Sequence, residues 1–272
     1  MKGRRRFMGG EEPFDGFLVR GKFADESGPE DWVLRYGSFG ATPINIAEYV
    51  NPETKEFEYR REKISGPLGL FYQLEGIERI DEIRGSEMVT AFQYTFSSPS
   101  IVSVNLQSLS YDSCTSLNSM FYSATKLANI EIGVFDAAKI TSFDGMFRDC
   151  KALTTLRFTP KNSSKNQTLT RMFYGCSSLL DLHIELDCSN VTSTTSAFAG
   201  CISLKNVTGS ISNLKTSLNI NASPLTAESA QVFIDGLSPE GAGQTISFSI
   251  ATNKLLSEEQ KQQIAEKGWI LA

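Results

Sequence analysis

Hydrophobic and polar positions along this chain repeat with a period of 25 or 26 residues. Six phenylalanines mark the period: Phe71, Phe96, Phe121, Phe147, Phe173 and Phe198, in steps of 25, 25, 26, 26 and 25. Around Phe147, the residues Ile140, Phe143, Met146 and Phe147 lie three and four apart, which predicts one apolar face of a short helix. Cys150 and Leu153 extend that inward edge, and Leu156 and Phe158 then alternate with Arg157, which predicts a short strand. Leu117, Met120, Leu127, Ile130 and Ile132 repeat the pattern around Phe121, and Leu169, Met172, Leu179, Leu182 and Ile184 repeat it around Phe173. Phe198 keeps Cys201, Leu204 and Val207, but Gly209 stands where the last strand apolar residue belongs. The Phe96 unit is one residue shorter, and the Phe71 unit matches mainly through Leu74, Ile77 and Ile80. A fixed period of this size predicts an α/β solenoid in which each unit buries its apolar edge against the next.

The flanks do not share the period. Up to residue 65, strand-like runs at 16–20, 31–36 and 56–60 alternate with turn-rich stretches, predicting a β-rich N-terminal cap. Repeats then occupy 66–216, and 217–272 forms an α/β C-terminal cap. There Ser223 or Thr226 opens a helix with Ala230, Phe233, Ile234 and Leu237 on its inner face. Residues 246–250 alternate as a strand, Ser257 precedes a second helix that stops at Gly268, and Trp269 to Leu271 return as a final strand. Caps are what a repeat array requires, because its end units would otherwise expose core.

Composition changes this picture little. In 272 residues, 40% hydrophobic and 21% charged content fits an ordered protein. A net charge of −5 argues against a general nucleic-acid partner. No run approaches the roughly 18 apolar residues that cross a bilayer, so no membrane insertion is expected. The basic start, Arg4 to Arg6, reads as a solvated tail; no apolar stretch follows it, so no secretion signal is legible as written. Of five cysteines, Cys150, Cys176 and Cys201 each fall three residues after a row phenylalanine. They allow a disulfide framework, but a ladder of buried free thiols acting as small hydrophobes is the better reading.

The phrase Met-Phe-x-x-Cys-x-x-Leu-x-x-Leu-x-Ile at 172–184 resembles the BspA-like leucine-rich repeats and related repeats of bacterial surface lipoproteins. The resemblance covers about 89–207. It implies a right-handed coil with short parallel strands on one side and short helices on the other, adhesion or recognition as the function, and no catalytic residues. It also implies a cell-surface location, from which the missing secretion signal departs. The C-terminal tail resembles the segment that follows such repeats in gut-bacterial and prophage-encoded proteins, and the opening phrase resembles the start of some Bacteroides prophage proteins. The alternative reading is therefore a structural or receptor-facing, virion-associated component of a phage or prophage particle.

Candidate chemistry is sparse, and the expectation is a non-enzyme without metal or cofactor. His183 is the only histidine, and no dinucleotide or P-loop phrase occurs. A Cys–His pair would need His183 with Cys176 or Cys150, yet the repeat frame points the histidine outward and the thiols inward. A hydrolase would need a carboxylate pair that the sequence does not reveal. Five Asn-x-Ser/Thr phrases, at Asn162, Asn166, Asn190, Asn206 and Asn221, read as turns rather than glycan sites. What remains is the outward row of the predicted strand face: Asn105, Glu131, Arg157, His183 and Thr208. Such a polar, mixed-charge face suits a protein or glycan held by hydrogen bonds, or it is simply solvated, and Arg157 is its one side chain of a type favoured at hot spots.

Overall fold

The computed structural model describes residues 17–26, 28, 33–36, 42–45, 49–61, 66–71, 73–74 and 76–272. Arg4 to Arg6, Gly16, Asp31 and Trp32 lie outside them. The fold is mixed α/β and mostly strand. The N-terminal part places β1 (Phe17–Phe23) between β4 (Glu56–Arg61) and β6 (Ile77–Arg84), antiparallel to both. β2 (Val33–Tyr36) and β3 (Thr42–Asn45) form a separate antiparallel pair, and β5 (Gly66–Pro67) pairs in parallel with β7 (Val89–Ala91).

β6 is the join. Its other edge pairs in parallel with β8 (Ser103–Asn105), and β8 with β9 (Asn129–Glu131), so one sheet runs in the order β4-β1-β6-β8-β9. A second sheet takes over: β10 (Val134–Asp136), β11 (Thr155–Lys161), β12 (Asp181–Asp187) and β13 (Asn206–Ser212), all parallel. Every pairing from β8 to β13 joins equivalent residues one period apart, such as Leu156 with Leu182 and Leu182 with Val207. A further row of parallel bridges links Ala91, Ser116, Ser142, Thr168 and Ser193.

The short helices expected opposite the strands are not formed. The Met-Phe segments are runs of hydrogen-bonded turns. Two left-handed residues flank each of four row phenylalanines, at two positions before and two after: Ser119 and Ser123, Gly145 and Asp149, Arg171 and Gly175, Ser196 and Gly200. A left-handed residue every fourth position breaks an α-helix. The backbone groups are satisfied another way, in strict alternation. In the Phe147 turn, Met146, Arg148 and Cys150 donate N–H bonds to the carbonyl three residues back. Gly145, Phe147 and Asp149 donate instead to Thr170, Met172 and Tyr174 of the next unit. The spacing of three and four is therefore an apolar pattern without a helix beneath it.

Inside, the row phenylalanines stack at ring-centroid distances of 5.6, 5.2, 5.3, 5.7 and 5.2 Å from Phe71 to Phe198. Each such contact adds about 0.5–1.5 kcal/mol beyond area burial. The three aligned cysteines lie beside them as free thiols, and each Sγ donates to the phenylalanine carbonyl of the preceding unit: Cys150 to Phe121 at 3.2 Å, Cys176 to Phe147 at 3.0 Å, Cys201 to Phe173 at 3.0 Å.

The C-terminal part closes the stack. Thr226 caps α1 (Ala227–Gly236), whose Phe233 meets Phe198 edge-on at 5.6 Å and ends the aromatic row. Gly209 is explained here. It sits at φ +97°, and a Cβ would lie 2.1 Å from the Ile184 carbonyl oxygen, so only glycine allows β13 to approach β12 this closely. β14 (Leu218–Ile220), β15 (Thr245–Phe248) and β16 (Ile270–Leu271) form a parallel sheet. The strand expected to run to Ile250 stops earlier, because Ser249 caps an additional helix, α2 (Ile250–Leu255). α3 (Glu258–Glu266) opens with a reciprocal capping box between Ser257 and Gln260, and Gly268 follows it at φ +76°.

Candidate recognition surfaces

The five strand-face residues stand on the outer side of the parallel strands, as their alternation with Leu156, Leu182 and Val207 requires. The structure brings them together in two groups. Asn105 pairs with Glu131. Arg157 pairs with His183, and His183 with Thr208. Between Glu131 and Arg157 the ladder is interrupted, because β9 ends one sheet and β10 opens the next. Gly133, at φ +75°, turns the chain between those two strands.

Most of this face is already hydrogen-bonded within itself. Gln107 Nε2 donates to Glu131 Oε2 at 3.0 Å, and Asn206 Nδ2 donates to Asp181 Oδ1 at 2.7 Å. His183 Nδ1 shares a hydrogen bond with Thr208 Oγ1 at 2.9 Å, and its Nε2 lies 3.3 Å from Glu185 Oε1. Arg157 is the exception: its side chain is exposed, with no hydrogen-bond or ion-pair partner among the described residues.

The geometry for Cys–His chemistry is not assembled. Cys150 and Cys176 are fully buried and committed to carbonyl oxygens, while His183 is tied to Thr208 and Glu185 outside. Burial pushes both thiols well above their ordinary value, away from the thiolate a nucleophile needs. Cys114, Cys188 and Cys201 are likewise pushed up to about 12 by burial. Among the described residues, no three of His, Cys, Asp and Glu cluster as metal ligands, and no helix is long and apolar enough to cross a membrane.

A second surface is not evident from the strand pattern. The turn edge carries Tyr94, Tyr122, Arg148 and Tyr174 in contact across successive units. Tyr122, Arg148 and Tyr174 each follow a row phenylalanine by one position, a signal visible in the sequence once these segments are known to be turns rather than helices. A shallow polar cleft of about 560 Å³ lies on a third side, lined by Thr141, Lys165, Gln167, Asn190 and Thr192.

Residues 86–214 match a family model described as "Mycoplasma protein of unknown function, DUF285". The match falls on the repeats, and its description does not mention BspA-like repeats. No curated protein matches. Among solved structures, a leucine-rich repeat protein of T. pallidum is similar at 15% identity over 73% of this chain and 80% of that one, with a TM-score of 0.29. A superposition that loose carries no argument about this chain.

Proposed function

We propose that the chain is a non-enzymatic recognition module, a right-handed leucine-rich-repeat solenoid of the BspA-like kind that holds a protein or glycan surface component. In this reading the strand face does the binding, and the segments 1–65 and 217–272 serve as caps. Arg157 is the observation that supports it. On a face where Glu131, Asp181, His183 and Thr208 are engaged in bonds across units, an exposed guanidinium keeps all its donors available for a partner. The stacked phenylalanines beneath make that face stiff, so little ordering cost falls on binding.

The test is the triple replacement Glu131→Ala, Arg157→Ala, His183→Ala, measured for binding to cell surfaces and to a glycan array. Loss of binding with an unchanged melting temperature is expected. Binding that survives the triple replacement removes the strand face from consideration.

A further inference from the structure

The turn edge holds a planar cation between two aromatic rings. Arg148 Cζ lies over the Tyr122 ring at 5.0 Å from its centroid and over the Tyr174 ring at 5.4 Å. Tyr94 meets Tyr122 edge-on at 5.8 Å and extends the row by one more unit. The Arg148 side chain forms no hydrogen bond among the described residues. Asp149 Oδ2 lies 3.4 Å from its Nε, which is buried and without a hydrogen-bond partner. The guanidinium is thus positioned by stacking and by the ion pair its inner Nε makes with Asp149, which leaves its outer N–H fork unused. Cation–π contacts of this kind hold a guanidinium in place without consuming its donors.

Two carboxylates face the fork, Asp149 as an ion pair and Asp144, whose carboxyl is pushed up by burial and pulled down by Arg171 and Arg148, yet the turn edge as a whole carries more cations than anions. The turn segments 117–126, 143–152 and 169–178 carry Lys126, Arg148, Lys151 and Arg171 against Asp144 and Asp149, an excess of cations in a chain of net charge −5. The Arg171 side chain is exposed, with no hydrogen bond or ion pair among the described residues beyond its longer-range attraction for Asp144. Tyrosine and arginine are also the residue types that dominate binding energy at protein interfaces.

We propose that the turn edge centred on Arg148 is a binding site for an acidic polypeptide segment, whose side-chain carboxylate is taken by the Arg148 fork between Tyr122 and Tyr174. This rests on the recognition reading above but places the contact on another side of the molecule. A planar guanidinium fork matches a carboxylate through two parallel N–H···O bonds, and a fork already immobilised loses less freedom on forming them. A polypeptide fits better than an acidic glycan. Of the three tyrosine rings Tyr174 alone is exposed and Arg148 lies over one of its faces, so an acidic sugar finds a single ring rather than a platform to stack on.

The experiment titrates the full chain with a labelled oligoglutamate peptide, and separately with an oligogalacturonate of similar length. It uses the wild type, Arg148→Lys and the strand-face triple variant, with thermal melting as the control for folding. Expected is binding of oligoglutamate that weakens with salt, falls at least about tenfold in Arg148→Lys because the lysine keeps the charge and loses the fork, and is unchanged in the triple variant. Should Arg148→Lys fail to fold, the side-chain Nε–H resonance of Arg148 in the wild type gives the answer, since it must shift on adding oligoglutamate. Unchanged binding in Arg148→Lys, no binding by the wild type, a static Arg148 resonance, or preference for oligogalacturonate overturns the site. Each of those outcomes leaves the strand-face reading standing. Cell-surface binding that survives the triple variant removes the strand-face reading and leaves this one.

Discussion

The rings of Phe121 and Phe147 lie within 3° of parallel at a centroid distance of 5.3 Å. That distance is close to the spacing of neighbouring strands, about 4.8 Å, because the same one-unit rise separates both. The aromatic row and the parallel ladder therefore enforce each other's pitch. Replacing Phe147 by alanine removes a fully buried ring that touches Phe121, Phe158 and Phe173, and should cost about 3–5 kcal/mol. Urea unfolding measures it. A loss below about 1 kcal/mol, the size of a surface substitution, would mean the row is not the spine of the fold.

Asn166 occupies an apolar position. It stands two residues before bridge residue Thr168, where the other units have Cys114, Ile140 and Val191, all buried. Both its amide atoms are buried without a hydrogen-bond partner, a cost of about 1–3 kcal/mol. Asn166→Val should therefore raise stability by about that amount, read as a higher melting temperature. Burial also removes Asn166 from the accessible Asn-x-Ser/Thr sites, whereas Asn162, Asn190, Asn206 and Asn221 are exposed.

The buried thiols predict an alkaline limit to stability. Folding holds Cys114, Cys188 and Cys201 at about 12, raised from an ordinary value of 9.0. A group whose value is raised in the folded state contributes fully below its unfolded value, and that contribution is lost as pH rises towards the folded one. Above about pH 9 the unfolded chain releases protons that the folded chain keeps, so stability should fall steadily from about pH 9 to about pH 12. Urea midpoints across that range should decline, and Cys201→Ala should make the decline shallower. An identical slope in the variant would show that this thiol does not contribute.

Gly175 has two reasons to be glycine. Its φ is +72°, and an added Cβ would lie 2.4 Å from Asp149 Oδ1 of the preceding unit. Gly175→Ala should destabilise by about 1–3 kcal/mol. Asp149→Ala removes the steric half of that conflict, so the double variant should lose less than the sum of the two single losses. Simple additivity in calorimetry would rule out the clash with Asp149 as a source of the loss.

The repeat was legible because a core of stacked equivalent positions must present the same side-chain types at one period. The spacing of the six phenylalanines, the inward cysteines and the outward row from Asn105 to Thr208 all follow from that constraint. Capping chemistry was equally local: Ser257 marked α3 directly, and of the two candidates Ser223 and Thr226 it is Thr226 that caps α1. The turns were not legible, because an apolar spacing of three and four fits a helix and a run of turns alike. What separates them is the left-handed backbone at Ser119, Gly145, Arg171 and Ser196, three of which are not glycine. Those conformations hold because alternate N–H groups find carbonyls on the next unit, a partner some 25 residues away that no local pattern encodes. The same long-range contact set the Tyr122–Arg148–Tyr174 stack. Local pattern alone settled the period, which side chains face inward and roughly where α1 and α3 begin, but not α2. Tertiary structure alone decided how the turn edge folds and which side chains meet there, since both depend on hydrogen bonds between units rather than within them.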